Sequence, residues 1–281
     1  MISILSDSAL TAIATILLVL VGLAQVFILI SQKRQTRIAL IAEYRQLWND
    51  NKKHWGNIVY IGRSSNEYYQ VVNKKRLNKL KEKTLEYNLY EPTIWARESV
   101  QKICGILAEV STRLLQGHLT ISETYPIFGT EFLRQSRALR QLLEPNYQHY
   151  FSHESDSKNH NSVRKEVQDW LIYHDGVRRR CLILIDLLWA EACRLEDLPS
   201  FEMQSAADAK KISGKNNRKR VFQEVFRLNG LKRIYLAFRL SRFLRRAEYY
   251  SFFNETGINK FRLKKNDENW TDRLFRKKNN D

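Results

Sequence analysis

Turn-forming residues are scarce: the chain has four prolines and ten glycines in 281 residues. Valine and isoleucine nowhere alternate with polar residues for long, so strands have no pattern to rest on and helical periodicity dominates. Cysteine is scarcer still. Cys104, Cys181 and Cys193 are odd in number and widely spaced, which excludes a CxxC zinc or redox pair and suits buried, reduced thiols in a cytoplasmic body. No GxxxxGK[ST] or GxGxxG string occurs, so the chain offers no phosphate-cradling loop. No Ser or Cys stands in a nucleophile elbow. No cofactor and no metal is expected.

Charge is absent from Ala9 to Ile30, a run of 22 residues in which only Thr11, Thr15 and Gln25 are polar. A bilayer core about 30 Å thick needs about 20 helical residues at about 1.5 Å each. A soluble core helix of this length would carry a polar stripe, and none is present. A cleaved signal peptide wants a basic leader and a shorter apolar run, whereas "MISILSDS" holds only Asp7. The sequence therefore predicts a transmembrane helix over 9–31. Lys33, Arg34 and Arg37 follow it and no base precedes it. The positive-inside rule then places residues 1–8 outside and the rest in the cytoplasm, a single pass through a bacterial inner membrane. The nearest second run, "CLILIDLLWAEAC" (181–193), is short and broken by Asp186 and Glu191.

The residues after position 32 hold 47 bases and 29 acids, a net charge of about +18. Such a body, tethered at a membrane, favours anionic lipid headgroups, an acidic protein or nucleic acid as partners. A second copy of the chain is a further expected partner, through Gly22, Ala24 and Gln25, which are tolerated at helix–helix contacts in the span. Its fold is expected to be all-α. Leu40, Tyr44, Leu47 and Trp48 continue a helical face from the span to about Trp55, as a stalk. A basic helix is expected over 66–88. A helix with Trp95, Ile103, Leu107, Val110 and Leu114 on one stripe follows, with Gly117 as its C-cap. Thr120 or Ser122 would cap the next short helix, and a further helix ends before Pro145. Residues 32–151 thus form a juxtamembrane helix and a helical domain, 152–162 an exposed polar loop, and 163–198 one long helix. Residues 199–217 read as a linker, 218–253 as basic amphipathic helices and 254–281 as a loose basic tail.

The span, "ALIAEYRQLW", the helix "WARESVQKICGILAEVSTRLLQGHL", "ISETYPIFGTEF" and "QLLEPNYQHYF" together resemble a family of bacterial single-pass membrane proteins of unknown function. In that family a juxtamembrane helix precedes a small helical domain. The likeness covers roughly 9–151. It implies fold and location, and carries no chemistry to transfer.

Arg113 and His118 in "RLLQGH" match the spacing of the HEPN ribonuclease motif. There an arginine would stabilise phosphate charge and a histidine would serve as acid or base. This string departs from the motif in having Leu114 after the arginine, and Gly117 points to a helix end before His118. An ordinary cap is the competing reading. His149 and His153 lie four apart, as metal ligands on a helix can, but no carboxylate completes a set. His174, Asp175 and the arginines at 178–180 could hold an anion or line a solvated helix face.

The strongest non-catalytic signal is residues 218–253, with ten bases against two acids. Its bases include Arg218, Lys219, Arg220, Lys232, Arg233, Arg239, Arg242, Arg245 and Arg246. Arg239, Arg242 and Arg246 share one side of a helix, and Ile234, Phe238 and Leu244 or Phe243 share another. Three readings fit: a helix packing its apolar side on the body, an interfacial membrane helix, or a single-stranded nucleic-acid surface. The anchor supplies a high local lipid concentration, which favours lipid over nucleic acid. The leading expectation is a non-catalytic, membrane-anchored scaffold or sensor whose body contacts anionic lipid or a partner protein. The alternative is a membrane-tethered HEPN-like ribonuclease or RNA-binding effector of antiviral defence.

Overall fold

The computed structural model describes residues 7–63, 78, 79, 82, 90–144, 158–252 and 254–268. Most of the basic helix expected over 66–88 lies outside these residues, as do His149, His153 and positions 152–157 of the polar loop. Among the described residues the protein is all-α, with eight named α-helices and no named strand. These are α1 (Asp7–Asp50), α2 (Lys52–Gly62), α3 (Tyr90–Leu115), α4 (Ile121–Leu143), α5 (Lys158–Tyr173), α6 (Asp175–Leu195), α7 (Ser200–Asn229) and α8 (Ile234–Leu244). Short 3₁₀ turns at Gly230–Arg233 and Arg245–Ala247 flank α8.

The chain divides into two compact units, the first ending at Glu43 and the second beginning at Tyr44. The first is the apolar part of α1. It is the one described helix long and apolar enough to cross a membrane. Its side chains are exposed, Leu18 at 75% and Phe27 at 70%, so it is not the core helix of a soluble domain.

The second unit is a helical body built around α6, which packs on α3, α4, α5, α7 and α8. Its run Cys181–Leu188 is buried without a break. The apolar string that is too short to span a bilayer is therefore the central helix of the body, apolar on all sides because neighbours cover all sides. Asp186 and Glu191 interrupt it, and both are buried and ion-paired.

Four expected boundaries need correction. The juxtamembrane face does not continue to Trp55 in one helix: α1 ends at Asp50 and α2 starts at Lys52. Tyr44 and Trp48 are buried but Leu47 is 38% exposed. The helix expected over 163–198 begins at Lys158, inside the predicted loop, and is broken at His174. There the imidazole stacks on Trp170 with ring centroids 4.2 Å apart, and its Nδ1 lies 2.8 Å from the Trp170 carbonyl oxygen.

The linker expected over 199–217 is the first half of α7. The buried positions of α7 are Met203, Ala207, Lys210, Gly214, Asn217, Val221, Glu224 and Val225. The spacing is that of a helix stripe, but small and polar residues fill it, so hydropathy does not reveal it. The described part of the tail expected from 254 is structured, with helix over 260–268 and Arg262 paired to Glu196 at 2.9 Å.

Candidate functional site

The Arg113–His118 string is a helix end. The His118 amide donates to the Arg113 carbonyl at 2.9 Å and the Gly117 amide to the Leu114 carbonyl at 3.0 Å. Gly117 has φ 76°. This pair of bonds around a left-handed glycine is a Schellman cap, and it needs an arginine or a histidine at neither position. The Arg113 guanidinium meets the Tyr44 hydroxyl and the Glu109 carboxylate at 3.0 Å, which raise its pKa further. The His118 side chain is exposed. Two residues on, Thr120 opens α4 with a reciprocal capping box: its hydroxyl accepts from the Glu123 amide at 3.3 Å, and the Glu123 carboxylate accepts from the Thr120 amide at 2.8 Å. This selects Thr120 over Ser122.

A Ser–His pair not singled out from sequence lies between α2 and α3. Ser99 Oγ is 3.0 Å from His54 Nδ1. The hydroxyl donates its one proton to the Trp95 carbonyl at 2.8 Å and accepts from Asn57 at 2.8 Å. His54 Nδ1 must therefore be the donor. It cannot take a proton from Ser99, so the pair is structural.

The expected anion site at 178–180 is internal wiring. Arg178 and Arg179 pair with Asp175, Arg179 and Arg180 reach Glu224, and Arg180 donates to Thr112 Oγ1 at 2.8 Å. Glu224 also takes Arg227 at 2.5 Å. Burial opposes ionisation of Glu224, but Arg227 and the other arginines outweigh it and lower its pKa. Asp186 is bound by Arg140 at 2.7 Å and by Lys210, with Arg220 at 4.0 Å. Burial pushes its carboxyl up; the Arg140 and Lys210 charges win and hold it at about 2. Burial pushes Lys210 down.

Two of the nine bases assigned to a binding surface are thus internal ties: Arg220 leans on Asp186, and Arg218 is paired with Glu248. Arg245 and Arg246 are half-buried, the latter 5.1 Å over the Phe243 ring. Arg233 lies beside the Gly117 turn. Lys219, Lys232, Arg239 and Arg242 are exposed and make no ion pair among the described residues.

The apolar side of α8 is not the expected one. Leu236, Ala237, Leu240 and Leu244 are buried against α6 and α7. Leu231, Tyr235 and Phe238, spaced by four and three, face outward at 71%, 77% and 60% exposure. Lys232, Arg239 and Arg242 flank them. Phe252 and Phe261, each 87% exposed, lie further along the chain. Helix α8 is therefore apolar on two sides; the outer one stays largely exposed, although the Phe238 ring meets Phe222 of α7 edge-on at 5.2 Å between centroids.

A separate cleft of about 480 Å³ is lined by the end of α1, the start of α2 and the middle of α4. Arg45, Lys52 and Lys53 are its bases and Glu131 its one acid. Trp48, Trp55, Phe128 and Phe132 form its floor, with ring centroids 4.8–5.7 Å apart. Gly129, at φ 72° and ψ −179°, breaks α4 at the cleft wall. No group of three or more potential metal ligands occurs among the described residues.

No protein-family profile, curated protein or solved structure matches the chain.

Proposed function

We propose that this chain is a membrane-anchored, non-catalytic helical module that docks its basic body onto anionic lipid through the outer face of α8. In this reading α1 is a retained anchor of a bacterial inner membrane. Residues 1–8 are outside, and the body, followed from Lys33, Arg34 and Arg37, is cytoplasmic. The resemblance over 9–151 implies the same placement.

The observation that carries the reading is the row Leu231, Tyr235 and Phe238, exposed beside Lys232, Arg239 and Arg242. Water is a poor solvent for that row. Each such side chain gains about 1.5–3 kcal/mol on full burial, and each base near an anionic surface about 1 kcal/mol. An interfacial helix has this composition: aliphatic and aromatic groups at the acyl boundary, bases at the headgroups. The aliphatic members Leu231 and Ile234 suit lipid better than single-stranded nucleic acid, which stacks on aromatic rings. The anchor makes docking intramolecular, so little added affinity is needed.

The test is hydrogen exchange on the full chain in lipid nanodiscs. Peptides covering 231–252 should exchange more slowly in discs with about a third anionic lipid than in zwitterionic discs, while α3 and α6 should not change. Equal rates in both discs would refute the docking. Protection by RNA and not by anionic lipid would favour the RNA-binding alternative.

A further inference from the structure

We propose that the cleft between the end of α1, the start of α2 and the break in α4 binds a phosphate monoester, as the headgroup of a phosphatidate-type lipid or as a small soluble ester. The volume, about 480 Å³, is that of a small-ligand site.

The cleft gathers three bases against one acid, whereas the buried acids of the body are matched. Asp186, Glu191 and Glu224 each hold at least one base. Arg45 and Lys52 have no ion pair among the described residues and share the cleft with Lys53, which also acts on Glu98. Bases gathered on one small surface repel one another, and a dianionic group relieves that repulsion.

The local backbone favours the same ligand. Lys52 and Lys53 occupy the first turn of α2, where the helix dipole disfavours positive charge, and that turn holds no acid. Asn51, the N-cap residue, makes no side-chain cap; its amide donates to the Leu47 carbonyl at 2.8 Å instead.

The floor narrows the ligand. Trp48, Trp55, Phe128 and Phe132 are 3%, 6%, 6% and 1% exposed, and they pack tilted or edge-on against one another. Rings used up in this way offer no free face for a nucleobase. The ligand is therefore a phosphate on a small or aliphatic carrier. None of these residues belongs to α8, so this site and the α8 docking face stand or fall separately.

The experiment uses the full chain in nanodiscs, zwitterionic for the first arm, and follows tryptophan emission, since Trp48 and Trp55 form the floor. One arm titrates glycerol 3-phosphate, with inorganic phosphate and sulfate for comparison. The other raises the phosphatidic acid content of the discs at constant total charge, balanced by phosphatidylglycerol. A saturable change is expected in at least one arm, and which arm responds tells a soluble ester from a lipid headgroup. The double variant Arg45→Gln/Lys52→Gln should weaken it at least tenfold. Both substituted residues are exposed, and circular dichroism checks that the variant folds. Arg239→Gln/Arg242→Gln, on α8, should leave it unchanged. No saturable change in either arm, or the same change in the Arg45→Gln/Lys52→Gln variant, would overturn the proposal.

Discussion

Asp186 shows how single residues hold this body together. A carboxylate 1% exposed survives only because Arg140 and Lys210 bind it. Replacing it by asparagine leaves those bases without their counter-charge, so Asp186→Asn should cost about 3–5 kcal/mol, read as a lower denaturation midpoint in detergent micelles. The pH dependence has a defined sign. The folded pKa, about 2, lies below the unfolded value of about 3.9. The stabilisation is therefore complete above about pH 4 and is lost as the pH falls through about 2. Wild type should lose stability across that window more steeply than Asp186→Asn; parallel curves would show that the carboxylate is not ionised in the fold. None of this is legible in sequence. Asp186 reads there as an interruption of an apolar run, because its partners stand 46 and 24 residues away and nothing local announces them; the Arg194 that holds Glu191 is only three residues on. Gly117 and Thr120 were legible, because caps are set by residues within one turn of each other.

At the scale of elements, helix existence was readable where the buried stripe is apolar and obscure where it is not. Ile103, Leu107, Val110 and Leu114 mark α3 plainly, and all four are buried. The stripe of α7 contains Lys210, Gly214 and Asn217: Lys210 and Gly214 are justified by tertiary neighbours, Asp186 and Glu248, and Asn217 bonds the Ser213 hydroxyl one turn back in the same helix. The break in α4 was legible, because "TISETYPIFG" and "TEFLRQSRALRQLL" read as two helices that meet after Gly129. Gly129 follows Pro126 in an otherwise helical string, and its φ of 72° with ψ of −179° is open only to glycine. In a straight helix Gly→Ala would stabilise by about 1 kcal/mol. Here Gly129→Ala should instead destabilise by about 1–3 kcal/mol, since no L-residue adopts that conformation cheaply. A rise in thermal midpoint would show that α4 runs straight through 129. Which side of α8 faces inward was hidden, because both sides are apolar.

For the whole molecule, composition and one apolar run set the class: an all-α body behind a helix fit to cross a membrane. The net charge of +17 pointed to an anionic partner but overstated the free charge, since Arg218, Arg220 and the arginines at 178–180 serve the interior. What remains outside is a smaller set of bases, and on α8 they flank exposed aromatic and aliphatic groups. If that combination docks on lipid, its electrostatic part must fade with salt, because the screening length falls to about 3 Å at 1 M. The apolar part must persist. Raising the salt from 0.1 to 1 M should therefore weaken contact of α8 with anionic bilayers without releasing the anchor.

The most direct measurement places a fluorophore on that face and asks whether it meets acyl chains. Cys104, Cys181 and Cys193 are buried, so a Tyr235→Cys variant of the full chain takes an environment-sensitive label at the new site. In nanodiscs of anionic lipid with brominated chains, the label should emit to the blue and be quenched, and both effects should weaken in zwitterionic discs. Water-like, unquenched emission in the anionic discs would contradict the account.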